Sequence, residues 1–179
     1  MVLTLALYTA AALVVAGVGL YVAGAYNQVV SSNQEADRAF RNVDVSLKQR
    51  HDEIPALVET CRGYMAHEKD VLESVTSLRL QIQGAGDVDT KVVAENALTE
   101  LLSRVFVLAE SYPELKANEL FLNLHKRLTA IENKIADRRE LFNACVTAYN
   151  TLIESFPALV LARVFGWRSR PVLSLGITG

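Results

Sequence analysis

Apolar residues follow one another without a polar face over the first 26 residues, and then recur at helical spacing along most of the chain. Residues 1–34 carry no charged side chain, and residues 1–25 are almost entirely Leu, Val, Ala, Gly and Tyr. A bilayer core requires about 20 apolar residues of helix. We therefore predict a transmembrane anchor at residues 1–26.

Two other structures are compatible with this apolar run. A buried helix of a soluble protein is one, but a soluble helix of this length would normally present a polar face. A cleaved signal peptide is the other, because Ala23-Gly24-Ala25 resembles a cleavage site. The basic residues that usually open a signal peptide do not precede the run, which favours a retained anchor.

The next segment is amphipathic and predicts helix A, continuous with the anchor. Its apolar positions alternate in spacing between three and four residues, which is the mark of one helix face. Pro55 then interrupts the pattern, and proline is best accommodated at the first turn of a helix. We place a turn at His51–Ile54 and the start of helix B at Pro55. One long helix kinked at Pro55 is the alternative, since the apolar stripe stays in phase. Helix A carries Ala36, Phe40, Val43 and Leu47.

Three further helices are predicted by apolar stripes bounded by helix-ending residues. Helix B ends at residues 83–86, and Asp87 is a candidate N-cap for helix C. Helix C stops at Tyr112-Pro113, Asn118 can cap helix D, and Pro157 ends helix D. The helix B stripe is Leu57, Val58, Cys61, Tyr64, Met65, Val71, Leu72, Val75, Leu78 and Ile82; that of helix C is Val92, Leu98, Leu101, Leu102, Val105, Phe106 and Ala109; that of helix D is Phe121, Leu124, Leu128, Ile131, Ile135, Phe142, Cys145, Tyr149, Leu152 and Phe156.

Short loops between helices of similar length predict antiparallel neighbours. The expected fold is all-α: an anchor at 1–26, an antiparallel up-down four-helix bundle with coiled-coil spacing at 27–157, and a tail at 158–179 returned to the membrane. The tail interleaves apolar and aromatic residues with arginine, which suits a headgroup layer. A tail packed onto the end of the bundle is the alternative.

The net charge and the cysteine content exclude some classes of function. The net charge of -2 argues against a nucleic-acid partner, and two cysteines far apart in sequence make neither a disulfide framework nor a zinc motif. No basic residue precedes the anchor. The basic residues that follow it are Arg38, Arg41, Lys48 and Arg50. The positive-inside rule then predicts a single-pass protein of the inner membrane with its N-terminus outside and its bundle in the cytoplasm.

No catalytic constellation or metal motif stands out. None of His51, His67 and His125 follows a Glu by three residues, so the Glu-x-x-His pattern of di-iron bundles is missing. We therefore predict no catalytic, cofactor-binding or metal-binding residues, and no cofactor.

Glu68 is the most unusual residue of the predicted core, because it lies on the helix B stripe at a height similar to that of Glu132. A polar site with His67 and a network that fixes helix register are both possible, and the second is favoured.

The asparagines Asn118, Asn133, Asn143 and Asn150 are interpreted as caps or interhelical hydrogen-bonding groups. Cys61 and Cys145 are interpreted as buried small hydrophobes, too far apart to pair.

A set of short motifs is spread in order over nearly the whole chain: Tyr26-Asn27, residues 44–48 with Arg50, residues 54–60, Gly63-Tyr64, His67-Glu68, residues 110–118, Glu132-Asn133, Ile135-Ala136, Arg139, Asn143, Tyr149-Asn150, residues 156–158, Ala162 and Phe165-Gly166. On these residues the chain resembles the LemA family. It departs from the family pattern at Phe142, usually tyrosine, and at Arg138, usually small or apolar.

This resemblance implies a membrane helix followed by a helical bundle, and no enzymatic activity. Family members occur beside membrane peptidases of the HtpX type, and one relative takes part in magnetosome membrane formation. The expected role is therefore a membrane-anchored scaffold or adaptor that self-associates and contacts the bilayer, with an HtpX-type peptidase as a possible partner. A membrane-organising protein that acts through its anchor and tail is the alternative.

Overall fold

The computed structural model describes residues 1–84, 86 and 88–173, and all regular structure in these residues is helical. The proposed N-cap at Asp87 and the last six residues of the predicted tail lie outside the described residues. The α-helices are α1 (Val2–Arg62), α2 (Lys69–Gly84), α3 (Val88–Ala109), α4 (Pro113–Lys116), α5 (Glu119–Glu154) and α6 (Ala158–Phe165), with a 3-10 turn at Ala66–Glu68 between α1 and α2.

The first helix begins with a long apolar segment that no protein surface covers. Its most apolar 18-residue window has a mean hydropathy of 2.1 and contains no buried residue. The first fully buried side chain of α1 is Val29. Bare apolar helix of this length is stable in a bilayer and would be an aggregation site in water. One helix is thus apolar enough to span a membrane, as the sequence predicts.

The predicted break at Pro55 is wrong, because α1 continues through Pro55 to Arg62. The break between the first two helices lies instead at Gly63–Met65, eight residues later. The buried residues Leu47, Ile54 and Leu57 remain on one stripe across the proline, and this burial stabilises the continuous helix. The alternative of one helix through Pro55 is therefore the correct one.

The chain forms two compact units. Unit 1 contains Met1–Phe40 and Leu141–Val172, and unit 2 contains Arg41–Glu140. Unit 2 has a hydrophobic core to which α1, α2, α3, α4 and α5 contribute, including Leu57, Leu72, Leu98, Leu115 and Leu124. Unit 1 has a smaller core in which Val29 of α1 meets residues of α5 and α6, namely Tyr149, Ile153, Ala158 and Ala162.

The start of α5 is formed as predicted. The backbone N–H of Phe121 donates to Asn118 Oδ1 at 3.0 Å, so Asn118 caps this helix, and α5 ends at Glu154, just before Pro157. The Asn118 amide also donates to the hydroxyl of Tyr64, which is exposed rather than part of the predicted core.

The second half of α5 departs from the predicted stripe. Val146 and Ile153 are buried there, whereas Cys145 is half-buried and Phe156 is exposed. Arg138, taken as the one break in the stripe, donates to Asn42 O and Ser46 Oγ, each at 2.6 Å. Phe142 and Tyr149 stay on the strict seven-residue repeat, whereas Arg139, Val146 and Ile153 are buried one residue later than that repeat requires.

Candidate functional site

A charged network lies inside unit 2, and Arg50 of α1 is its centre. The Arg50 side chain is 0% exposed and that of Glu95 on α3 is 1% exposed. Arg50 Nη2 donates to Glu95 Oε2 and to the Glu95 carbonyl. Arg50 Nη1 donates to Thr99 Oγ1 and to Glu132 Oε1, each at 2.6 Å. One guanidinium therefore ties α1 to α3 and to α5.

His51 completes the contacts of Glu95. Its Nε2 lies 3.1 Å from Glu95 Oε1 and 3.2 Å from Glu95 Oε2. Burial alone raises the pKa of Glu95, but the hydrogen bond from His51 and the charges of Arg50 and His51 outweigh it, so this pKa lies below its usual value. Glu95 is thus held as a carboxylate inside the unit.

Pro55 and Arg79 extend the network on the side of α2. Proline has no backbone N–H, so Pro55 cannot donate to the carbonyl four residues earlier, which belongs to His51. Arg79 Nε of α2 donates to that carbonyl at 2.8 Å. The acceptor that the proline leaves without a helix partner is therefore satisfied from a neighbouring helix, next to the Arg50–Glu95 pair.

A second arginine lies close to the same carboxylates. Arg139 of α5 is buried and donates from Nη1 to Asn96 Oδ1 at 2.8 Å. Burial and the charge of Arg50 lower the pKa of Arg139, while Glu95 and Glu132 act in the opposite direction. An arginine remains protonated in proteins. Two guanidinium groups therefore face two carboxylates, which largely balances the charge that the helices bury.

A cleft of about 320 Å³ reaches the edge of this network. His51 and Glu95 lie on its wall, and both basic and acidic side chains surround its mouth. Both Glu95 oxygens are already engaged by Arg50 and His51. The cleft is lined by Asp44, Leu47, Lys48, His51, Asp52, Ile82, Gln83, Lys91 and Glu95.

The predicted pairing of Glu68 with Glu132 is wrong. Glu68 lies in the 3-10 turn and is partly exposed, because the chain leaves the helical path at Gly63 and the stripe no longer runs through residue 68. Glu132 instead pairs with Arg50. His67 is exposed, and His125 stacks on Phe106 with ring centroids 4.2 Å apart. Over the described ranges no group of three or more His, Cys, Asp or Glu side chains could hold a metal ion.

The cysteines are both free thiols, and only Cys61 is buried. Burial raises the pKa of Cys61 to about 11. Such a thiol is a weak nucleophile near neutral pH.

Two asparagines act as the sequence analysis expects. Asn118 is a helix cap. Asn150 pairs with the backbone of Arg170: its amide donates to the Arg170 carbonyl, and the Arg170 N–H donates to Asn150 Oδ1, each at 2.9 Å. Asn133 is exposed.

The sequence predictions name Arg50 only as a basic residue after the anchor and as part of the family pattern, and they do not name Glu95, although a signal for a buried pair exists. Arg50 falls between Leu47 and Ile54 on the buried stripe of α1, and Glu95 precedes Leu98 on that of α3. Opposite charges at core positions of two helices indicate a buried ion pair, since a lone buried charge is too costly to retain.

Over the residues that the structure describes, these observations define a class: an all-helical protein with one helix apolar enough to cross a membrane and a buried ionic network in unit 2. The pattern of the LemA family matches residues 39–177. The chain belongs to the LemA family, which confirms the resemblance found in its sequence.

The relatives that the chain matches have low sequence identity to it. The chain is 21% identical to magnetosome protein MamQ of Magnetospirillum gryphiswaldense over 169 residues, which cover 80% of this chain and 62% of that protein. It is 23% identical to protein LemA of Metamycoplasma hominis over 135 residues, which cover 74% of this chain and 61% of that protein. The chain thus matches less than two thirds of the length of these relatives.

Proposed function

We propose that this protein is a membrane-anchored, non-enzymatic scaffold or adaptor. The observation that carries the proposal is that the charged network of unit 2 is turned inward: Arg50 and Glu95 are almost completely buried and bind each other. A catalytic acid or base must reach a substrate. A buried network in which both Nη atoms of Arg50 pair with carboxylates instead fixes the packing of helices, which leaves their outer surfaces for partners.

We further propose that unit 2 is an antiparallel up-down bundle. Glu53 pairs with Arg127, Arg50 with Glu132 and Ser46 with Arg138, so residue numbers fall along α1 as they rise along α5. Asp44 pairs with Lys91 and Arg50 with Glu95, so α3 follows the direction of α1. Both trends support the alternation of directions that short connections predict.

The proposed location is the inner membrane, with a single pass, the N-terminus outside and unit 2 in the cytoplasm. The exposed Arg38, Arg41 and Lys48 after the apolar segment support this orientation. Its test is labelling of intact cells by a membrane-impermeant maleimide, after Cys61→Ala and Cys145→Ala. We expect Thr4→Cys to be labelled at once and Asn133→Cys only after permeabilisation. The reverse pattern would overturn the orientation.

The scaffold proposal expects a protein partner within the membrane, either a second copy of the chain or another membrane protein. A peptidase of the HtpX type is the first heterologous partner to examine. Val93 and Val107 are large apolar residues on α3 that are mostly exposed, at 69% and 66%. Fourteen residues separate them, close to four helical turns, so they lie near one face. They are therefore suitable positions for capturing a partner.

The test places a photo-crosslinking amino acid at Val93 or Val107 in the full chain, in native membranes, with the exposed Lys126 as the matched control position. We expect a discrete adduct from the valine positions, identified by mass spectrometry as a second copy or as one membrane protein. The absence of any adduct that differs from the Lys126 control would count against a scaffold.

A membrane-organising role is the second candidate, and α6 favours it. This helix exposes Val160, Val164 and Phe165. Three of the relatives are named magnetosome proteins, which is consistent with a role at a membrane.

A further inference from the structure

The apolar residues of α6 are arranged opposite to those of a helix in a soluble protein. Its buried residues are the small Ala158 and Ala162. The large residues face outward: Val160 is 53% exposed, Val164 is 73% exposed, and Phe156 just before the helix is 81% exposed. Val160 and Val164 are separated by four residues and lie along one side of α6, and the exposed ring of Phe156 precedes the helix. Unit 1 therefore presents an apolar ridge that it does not cover itself.

This ridge lies beside the end of the membrane-spanning segment. The ring of Tyr26, at the boundary of the apolar run of α1, lies 5.2 Å from that of Phe165 and 5.4 Å from that of Trp167, measured between centroids. Trp and Tyr are enriched where a membrane helix leaves the hydrocarbon core. The three rings thus mark the level of the bilayer surface, and α6 lies at that level.

The direction of α6 follows from the packing of α5. Phe40 of α1 contacts Phe142, whereas Val29, nearer the span, packs with Tyr149 and Ile153. In unit 1, α5 thus runs alongside α1 towards the membrane. The bend between α5 and α6 is 94°. A helix that turns by this angle from the axis of a spanning helix lies in the plane of the bilayer.

The tail after α6 is tied down, so the ridge exists before any partner binds. Asn150 holds the backbone of Arg170, and Arg170 Nη1 binds Asn33 Oδ1 at 3.0 Å and Asp37 Oδ1 at 2.6 Å. A surface that is already ordered loses little conformational entropy on binding.

The charges around the ridge indicate which surface it meets. Residues 156–173 contain no Asp or Glu, and Arg163 and Arg168 are exposed. Cationic side chains beside an apolar face are suited to anionic lipid.

We propose that α6 is an in-plane interfacial helix, whose ridge of Val160 and Val164 inserts, together with the preceding Phe156, into the anionic leaflet from which α1 emerges. The partner is the lipid surface itself, at the boundary between headgroups and acyl chains. This inference rests on the membrane span of the proposed function, because the bilayer is placed by α1. A second copy of the chain seated on the ridge is the competing occupant.

The test uses the full chain, after Cys61→Ala and Cys145→Ala, reconstituted into vesicles of phosphatidylglycerol and phosphatidylcholine. Spin labels are attached at Val164→Cys, at Thr151→Cys as the solvent-facing control and at Leu13→Cys as the control in the span. We expect the Val164→Cys label to be accessible to oxygen and protected from a water-soluble nickel complex at every protein-to-lipid ratio, and the Thr151→Cys label to be open to the nickel complex.

Trp167 is the only tryptophan, so its fluorescence reports the same depth without a label. We expect bromine atoms near the headgroup end of the acyl chains to quench Trp167 more strongly than bromine atoms near the chain ends. Replacing Arg163 and Arg168 by Gln should weaken this quenching in vesicles that contain anionic lipid.

The controls separate the possible failures. If the Leu13→Cys label is not in lipid, the span of the proposed function fails. If Leu13→Cys is in lipid and Val164→Cys is open to the nickel complex, the interfacial helix is overturned and the span stands. Protection of Val164→Cys that disappears on dilution into excess lipid would show that a second copy covers the ridge, which also overturns the proposal.

Discussion

Among single residues, Glu95 is the one whose replacement is expected to lower the free energy of unfolding most. Arg50 is completely buried, and its charge is tolerable because Glu95 and Glu132 lie beside it. Removing one partner of a buried ion pair leaves the other charge uncompensated, at a cost of about 3 kcal/mol. We expect Glu95→Gln to lower the free energy of unfolding of the full chain in detergent by about this amount, measured by urea titration with circular dichroism. The exposed Glu110→Gln is the control and should change it little. Equal stability of the two variants would contradict the assignment.

The same carboxylate makes unit 2 sensitive to acid. The pKa of Glu95 is lower in the folded chain than its usual value of 4.5, so folding is favoured by its ionised form. The resulting stabilisation is fully present above the unfolded pKa and is lost as the pH falls through the folded pKa. Urea titrations between pH 7 and pH 3 should show a loss of stability in the parent that is smaller in Glu95→Gln. An equal loss in both chains would assign the acid sensitivity to other groups.

Among the elements, α1 shows how a helix can continue through a proline. We expect Arg79→Met to destabilise the chain by about 1 kcal/mol, because the carbonyl of His51 loses its donor. In a Pro55→Ala background residue 55 regains its N–H and can donate to that carbonyl, so the same substitution should cost clearly less. Urea titrations of the four chains in this double-mutant cycle measure the difference. Additive effects would show that the two sites are independent.

The two hydrogen bonds between Asn150 and the backbone of Arg170 lead to a second prediction at the scale of an element. Asn150→Ala removes two hydrogen bonds to the tail, which should expose the backbone around Arg168. Limited digestion by trypsin, followed by mass spectrometry, should then show faster cleavage after Arg168 than in the parent. Asn133→Ala, at an exposed asparagine of α5, should cleave at the parent rate. Faster cleavage in both variants would indicate a general destabilisation of the chain and not the loss of the two hydrogen bonds between Asn150 and Arg170.

The helices were predictable where local chemistry decides them and less so where contacts between helices do. The Asn118 cap and the end of α5 depend on neighbouring residues alone, and both are as expected. The carbonyl that Pro55 leaves free in α1 is bound by Arg79, which is distant in sequence. The shift of the buried positions at Arg139 has one cause, since a straight α-helix drifts by about 20° per heptad against a strict seven-residue repeat. Extrapolating that repeat places Cys145 and Leu152 in the core, where Val146 and Ile153 are found.

At the scale of the whole molecule, one helix belongs to both units: α1 carries the apolar segment and also supplies Ile54, Leu57 and Cys61 to the core of unit 2. The apolar run and the family were evident from sequence because each depends on composition or on contiguous motifs. The ionic network was not, since it joins residues more than forty positions apart.

Exposed leucines allow the anchor to be tested against a matched control. An arginine at the centre of a membrane helix costs about 2.5–3.5 kcal/mol on insertion scales. We expect Leu7→Arg combined with Leu13→Arg to move the chain from the carbonate-resistant membrane fraction to the soluble or aggregated fraction. Leu120→Arg, at an exposed leucine of α5, should leave the chain in the membrane. Retention of the double variant would argue against a spanning helix.

The enclosed thiol at position 61 has a practical consequence. Because Cys61 is sequestered in the core of unit 2 and its pKa is raised to about 11, an alkylating reagent can modify it only when that core opens. After Cys145→Ser, the rate of alkylation of Cys61 measures how often the core of unit 2 opens in the native chain. This alkylation rate can be measured in isolated membranes or living cells, without extracting the protein.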